Sequence, residues 1–247
     1  MVSPSPYRAH RNSVNYYTIV LVFLALQGLA QPAAAEEILA LSGIEGTSKR
    51  VYGYVGAITP FPGGGKLTDD GLRLRFWVDG QSFNYDRTPL AKVDAQGEGV
   101  EGAVGYQVIR PQYYASAYVG VRYQHFDLSP DDQTTKVKGG HVGMRLQLED
   151  TYNFNTHWGV SVVGSYLAFL NDFWTRIRPF YMINQNISVG PEFVAFGGTL
   201  YDRQVYGVFI DGIPLGKVSL GLKAGSEYDI RRRESVPSFG ANIGIHF

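Results

Sequence analysis

Cysteine occurs nowhere in the 247 residues, which excludes a disulfide scaffold and any thiolate-held metal. Charge is scarce and balanced: 22 Lys and Arg offset 22 Asp and Glu, and charged residues make up only 18% of the chain. Without net positive charge there is no electrostatic footprint for nucleic acid, so none is expected as a partner. Long apolar runs are also missing, apart from one near the N-terminus. What is abundant is glycine, at 30 residues, with 17 tyrosines and 14 phenylalanines. That is the composition of twisted β-structure, not of a helical bundle or a disordered chain.

The one apolar run, Tyr17 to Ala30, follows Arg8, His10 and Arg11 and precedes Pro32 and Ala33-Ala34-Ala35. A basic start, a short apolar core and a small-residue end are the parts of a secretory signal peptide, with cleavage expected after Ala35. The run falls short of the roughly 20 residues of a spanning helix, so a membrane anchor is the weaker reading. The expected organisation is a signal peptide over 1–35 and one exported domain over 36–247.

From Glu37 onward the dominant signal is a period of two. Leu72, Leu74, Phe76 and Val78 alternate with Arg73, Arg75, Trp77 and Asp79. Val142, Met144, Leu146 and Leu148 alternate with His141, Gly143, Arg145 and Gln147. In the last segment Phe239, Ala241, Ile243, Ile245 and Phe247 alternate with Ser238, Gly240, Asn242, Gly244 and His246. Segments of this kind predict about twelve strands between 37–45 and 236–247, ten being the alternative count.

Short connectors (Arg110–Gln112, Asn184–Asn186, Asp211–Pro214) alternate with longer polar ones (Arg87–Gly97, Asp127–Thr135, Ile230–Ser235). Short turns at one end and long loops at the other are the arrangement of an outer-membrane barrel, with turns and termini in the periplasm. Phe61–Asp70 breaks the pattern, being long where parity asks for a short turn. A soluble sandwich would share the alternation. Aromatics at segment ends, such as Tyr113, Tyr123, Trp158, Tyr166, Phe239 and Phe247, instead suit two membrane interfaces, and Gly- and Ser-rich polar faces suit a narrow lumen. The expected fold is all-β: an antiparallel transmembrane β-barrel facing outer-membrane lipids.

Chemistry-bearing motifs are weak. His125, His141, His157 and His246 lack metal or catalytic spacing, and Ser161, Ser165 and Ser188 are tied to no histidine and carboxylate by any motif. Pro62-Gly63-Gly64-Gly65-Lys66 lacks the ending of a phosphate loop and reads as a turn. No catalytic residue, cofactor or metal is therefore expected. The notable residues are charges placed on the polar faces: Arg73, Arg75, Asp79, Glu101, Arg122 and Arg145, then Glu149, Arg176, Arg178 and Glu192, with Lys217 and Lys223. In a barrel of about twelve strands the interior is small, so charges of both signs are expected to pair and plug it rather than line an open pore.

Particular runs resemble a family. Gly53-Tyr54-Val55-Gly56-Ala57-Ile58-Thr59-Pro60, Leu72-Arg73-Leu74-Arg75-Phe76-Trp77 and Glu101-Gly102-Ala103-Val104-Gly105-Tyr106-Gln107 are similar to the cellulose biosynthesis protein BcsS family. So are Tyr118-Val119-Gly120-Val121-Arg122-Tyr123, the stretch Asp127-Leu128-Ser129-Pro130-Asp131-Asp132, and Gly143 to Glu149. The resemblance implies an envelope protein accompanying a bacterial cellulose synthase system, with cellulose or the synthase and export components as partners and no enzymatic activity. A lipid A or phospholipid hydrolase on the same fold, or a small porin-like channel, are the alternatives.

Overall fold

The computed structural model describes residues 37–88, 91–133 and 135–247; the expected signal peptide lies outside them. Twelve strands form: β1 (Leu39–Gly46), β2 (Arg50–Pro60), β3 (Gly71–Thr88), β4 (Ala91–Ile109), β5 (Tyr113–Ser129), β6 (Gly139–Asn153), β7 (Trp158–Leu167), β8 (Asp172–Met182), β9 (Ser188–Gly197), β10 (Asp202–Leu215), β11 (Val218–Asp229) and β12 (Glu234–His246). Each pairs antiparallel with its sequence neighbours, and β1 closes the ring on β12 from Leu39↔His246 to Gly46↔Phe239. Closure removes the free edges that an open sheet of this size would expose. The chain is a closed antiparallel transmembrane β-barrel.

The alternation places side chains in or out. On β6 Val142, Met144, Leu146 and Leu148 are exposed on the outside, as are Leu72, Phe76 and Val78 on β3. Rings bound this apolar belt: Tyr106, Tyr152, Trp158 and Tyr181 toward the turn end, Tyr123, Tyr166 and Phe173 toward the loop end. Large outward hydrophobics in such a band require lipid around them, because soluble monomers rarely expose a contiguous apolar patch of that extent.

Three expected connectors differ from the expectation. Residues read as the polar loop Arg87–Gly97 belong largely to the β3–β4 ladder, which continues to Thr88↔Ala91. Lys92, Asp94, Gln96 and Glu98 point outward there while Val93 and Ala95 are buried, so the polarity belonged to one face of a strand and not to a loop. Asp211–Pro214 is a bulge within β10, whose register shifts between Ile210 and Ile213; the turn is Gly216-Lys217. Gly212 has a positive φ of 80°, and an added Cβ would sit 1.8 Å from the Asn186 carbonyl oxygen, so only glycine fits this bulge. The third, Ile230–Ser235, shrinks to a turn over 230–233 before β12.

At the loop end the interior along β3, β4 and β5 is apolar, while Arg50, Arg203 and Glu227 are buried at the same level on the other wall. Phe83, Tyr85, Val93, Ala95, Phe126 and Leu128, with Leu167 at the end of β7 and Val137 and Leu170 from the connectors, form one buried cluster. Phe83 meets Phe126 edge-on at 6.4 Å and Tyr201 at 5.4 Å. The usual equation of apolar face with lipid face therefore fails beyond the belt.

Candidate functional site

Below that apolar cluster the lumen is charged. Arg122 on β5 donates two hydrogen bonds to Asp79 on β3, at 2.6 and 2.8 Å. Its side chain crosses β4 at Gly99, where an added Cβ would lie 2.3 Å from the guanidinium. Glu101 on β4 accepts from Arg75 and, at 3.0 Å, from Arg145 on β6, which also donates to the Ser165 hydroxyl at 3.1 Å. Glu149 lies 3.7 Å from Arg75. Arg75 also lies over the Tyr118 ring, 4.6 Å from its centre. Arginine suits such pairs because its planar donors can engage two acceptors at once.

The opposite wall carries a second network. Arg178 on β8 is paired with Glu192 at 2.5 Å and with Asp211. Lys223 is paired with Glu45 and lies 3.9 Å from Glu192. Arg50 bridges Glu45 and Glu227, each at 3.0 Å, and Arg203 reaches Glu227 at 3.1 Å and Asp229 at 3.4 Å. Removing one member of a buried pair leaves an uncompensated charge, and the pairs that skip at least one strand, such as Arg122–Asp79, Arg145–Glu101, Arg178–Asp211 and Arg50–Glu227, hold together strands that share no backbone ladder. Glu45, Arg50, Arg203, Asp211, Glu227 and Asp229 were missed by sequence reasoning, although Glu227 and Asp229 continue the phase that starts at Lys223.

The remaining charges go elsewhere. Arg73 is fully buried but among the described residues meets no carboxylate: it donates to the carbonyl oxygens of Lys66 and Leu72, each at 2.9 Å, and of Asp69. Arg176 faces the lumen and lies over the Trp174 ring. Lys217 does not point inward; it is exposed in the β10–β11 turn, because the bulge moves the strand end past it.

The irregular Phe61–Asp70 connector closes the turn end. The Gln107 amide donates to the carbonyls of Leu67 (2.6 Å) and Asp69 (3.0 Å), and the Leu67 N–H donates to Glu37 at 3.1 Å. With Arg73 these bonds draw the connector over the interior. Outside the membrane, Asp70 accepts from the Ile109 N–H at 2.7 Å and from Arg110 at 2.7 Å, which together hold its carboxyl below the usual range. Between apolar cluster and connector the lumen keeps a cavity of about 430 Å³, lined by residues of both charge networks and by Tyr52, Tyr54 and Trp77.

A family model described as cellulose biosynthesis protein BcsS matches residues 39–242, almost the whole barrel. The chain belongs to the BcsS family. An outer membrane channel from Pseudomonas putida F1 shares the fold, with a TM-score of 0.57 at 12% identity over 88% of this chain and 97% of that one. The translocator domain of autotransporter NalP from Neisseria meningitidis aligns more loosely, at a TM-score of 0.48 and 10% identity over 94% and 95%. No curated protein matches the chain.

In this BcsS-family barrel the histidines and serines stand apart. His141 contacts the Val137 and Lys138 carbonyls at 2.9 and 3.2 Å and stacks on Phe169. His157 stacks on Tyr181, and His125 lies 3.5 Å from Asp127. Ser165 is engaged by Arg145.

Proposed function

We propose that this barrel is a non-enzymatic outer-membrane accessory of bacterial cellulose production, contacting lipid on its outside and cellulose or the synthase and export components through its ends. The observation that carries this reading is a lumen crossed by paired charges and narrowed at both ends, which leaves a cavity and not a wide pore. Charges of opposite sign are crossed between strands, with an apolar cluster at one end and a bonded connector at the other. A channel keeps a hydrated path open past its charges. A hydrolase needs a serine, histidine and acid in mutual contact, whereas Ser165 here serves an arginine. The signal peptide over 1–35 belongs to the same reading, and the protein extracted from outer membranes should begin at Glu36.

The test is genetic. Deleting the gene in a cellulose-producing cell should lower secreted cellulose, measured as glucose released by cellulase, and the intact gene should restore it. Unchanged output would refute the role. The purified barrel should add no conductance steps to a planar bilayer.

A further inference from the structure

We propose that the lumen cavity is a saccharide site that takes the end of a β-linked glucose chain, held between the Tyr54–Trp77 wall and Arg176. The choice of sugar rests on the cellulose reading above; the site itself rests on three observations.

The first is an arginine without a partner. Every other inward arginine has a carboxylate or, for Arg73, backbone carbonyls. Among the described residues Arg176 has neither an ion pair nor a hydrogen bond, although it lines the cavity two residues from the fully engaged Arg178. Its guanidinium lies 5.5 Å from the Trp174 ring centre. Five N–H donors in a fixed plane are thus left for something that enters.

The second is an aromatic wall on the far side of the barrel. Tyr54 and Trp77 stack with ring centres 4.6 Å apart and planes 16° from parallel, and Tyr52 lies 5.9 Å from Tyr54. The sequence provides for this stack. Trp77 lies across Gly56, where a Cβ would come within 2.1 Å of the indole, and Tyr54 lies across Gly43. Tyr54, Trp77 and Arg176 line the same cavity, from strands about half a ring apart.

The third is the charge balance around Arg176. Arg178, two residues along the strand, is paired with Glu192 and Asp211, and Asp211 lines the cavity with Arg176, so an anion entering here would meet carboxylates too. A neutral polyhydroxylated ring fits better. Its C–H face packs on aromatic planes, and its hydroxyls both donate and accept, matching Arg176 as a donor and Asp211 as an acceptor in the cavity lining. The cavity, at about 430 Å³, falls within the roughly 300–1,000 Å³ of small-molecule sites.

The experiment is a titration of the purified barrel, in a sugar-free detergent, with cellotriose, following tryptophan fluorescence. Saturable binding is expected, with affinity at least tenfold lower in Arg176→Gln and in Tyr54→Ala and unchanged in Lys217→Gln; heat-modifiable gel mobility reports that each variant is folded. Arg176→Lys, which keeps the charge, should recover part of the affinity. No saturable response, an Arg176→Gln variant that binds as well as wild type, or tighter binding of glucuronate than of cellobiose would overturn the site. Loss of cellulose output on gene deletion together with no cellotriose binding would sink this proposal and leave the cellulose role standing. Binding with unchanged output would do the reverse.

Discussion

Strands β3, β4 and β5 each run through two regions, and the same alternation means opposite things in them. The row Val78, Val100, Tyr123 and Val142, paired side by side, marks the loop-side edge of the apolar belt. On the turn side of that row the outward residues are apolar and the inward ones charged. On the loop side Glu98, Gln96, Asp94 and Lys92 face outward, and Phe126, Ala95, Val93 and Phe83 are buried inside. The backbone register does not change across the row; the solvent does. Alternation reports two faces, and only the surrounding medium decides which face is the apolar one.

The largest effect should come from violating the inside of the loop-side region. Phe126→Asp places an unpaired charge among Phe83, Val93 and Leu167, and should cost more than about 5 kcal/mol. Loss of heat-modifiable mobility would report it, and a folded variant would break the comparison.

Next comes the inside of the belt region. Arg122→Ala leaves Asp79 alone in the lumen and should cost about 3–5 kcal/mol in urea unfolding. Adding Asp79→Ala should return part of that loss, since the stranded charge is then gone. A double variant as damaged as the sum of the two singles would mean the pair is not coupled.

The outside separates the regions most directly. Leu146→Arg, in the belt, should cost about 2–4 kcal/mol, whereas Glu98→Arg, beyond the Val100 row, should stay within about 0.5 kcal/mol. Equal costs would place the membrane edge elsewhere.

The smallest effect concerns the turn end, outside the membrane. The Asp70 carboxyl is held below its unfolded value of about 3.9, so its hold on the connector is complete above that pH. It is lost as pH falls through the lower folded value. Protease cleavage within 61–70 should therefore rise in acid, and Asp70→Asn should remove that dependence.

Legibility in the sequence followed from range. Period two is local, so strand number and the inward phase of Arg75, Asp79, Glu101 and Arg122 could be read residue by residue. Lys217 could not, because a bulge at Gly212 shifts the strand end and a bulge leaves only a glycine as its trace. The β3–β4 extension was misread because Lys92, Asp94 and Glu98 look like loop residues when the buried Val93 and Ala95 between them are given less weight. The cellulose family was legible in the strand runs themselves, and the matched region confirms it.

The sequence by itself determined an exported-looking, cysteine-free β-chain with two unlike faces, since those are properties of neighbours one and two residues apart. Only the tertiary structure decided which charges meet, that Arg176 meets none, and that the Phe61–Asp70 connector folds inward onto Arg73 and Gln107. Ring closure sets β1 against β12 and so lets Lys223 meet Glu45 and Arg50 meet Glu227, while a glycine on β4 lets Arg122 on β5 reach Asp79 on β3. Ion-pair partners on different strands leave no periodic mark in the chain.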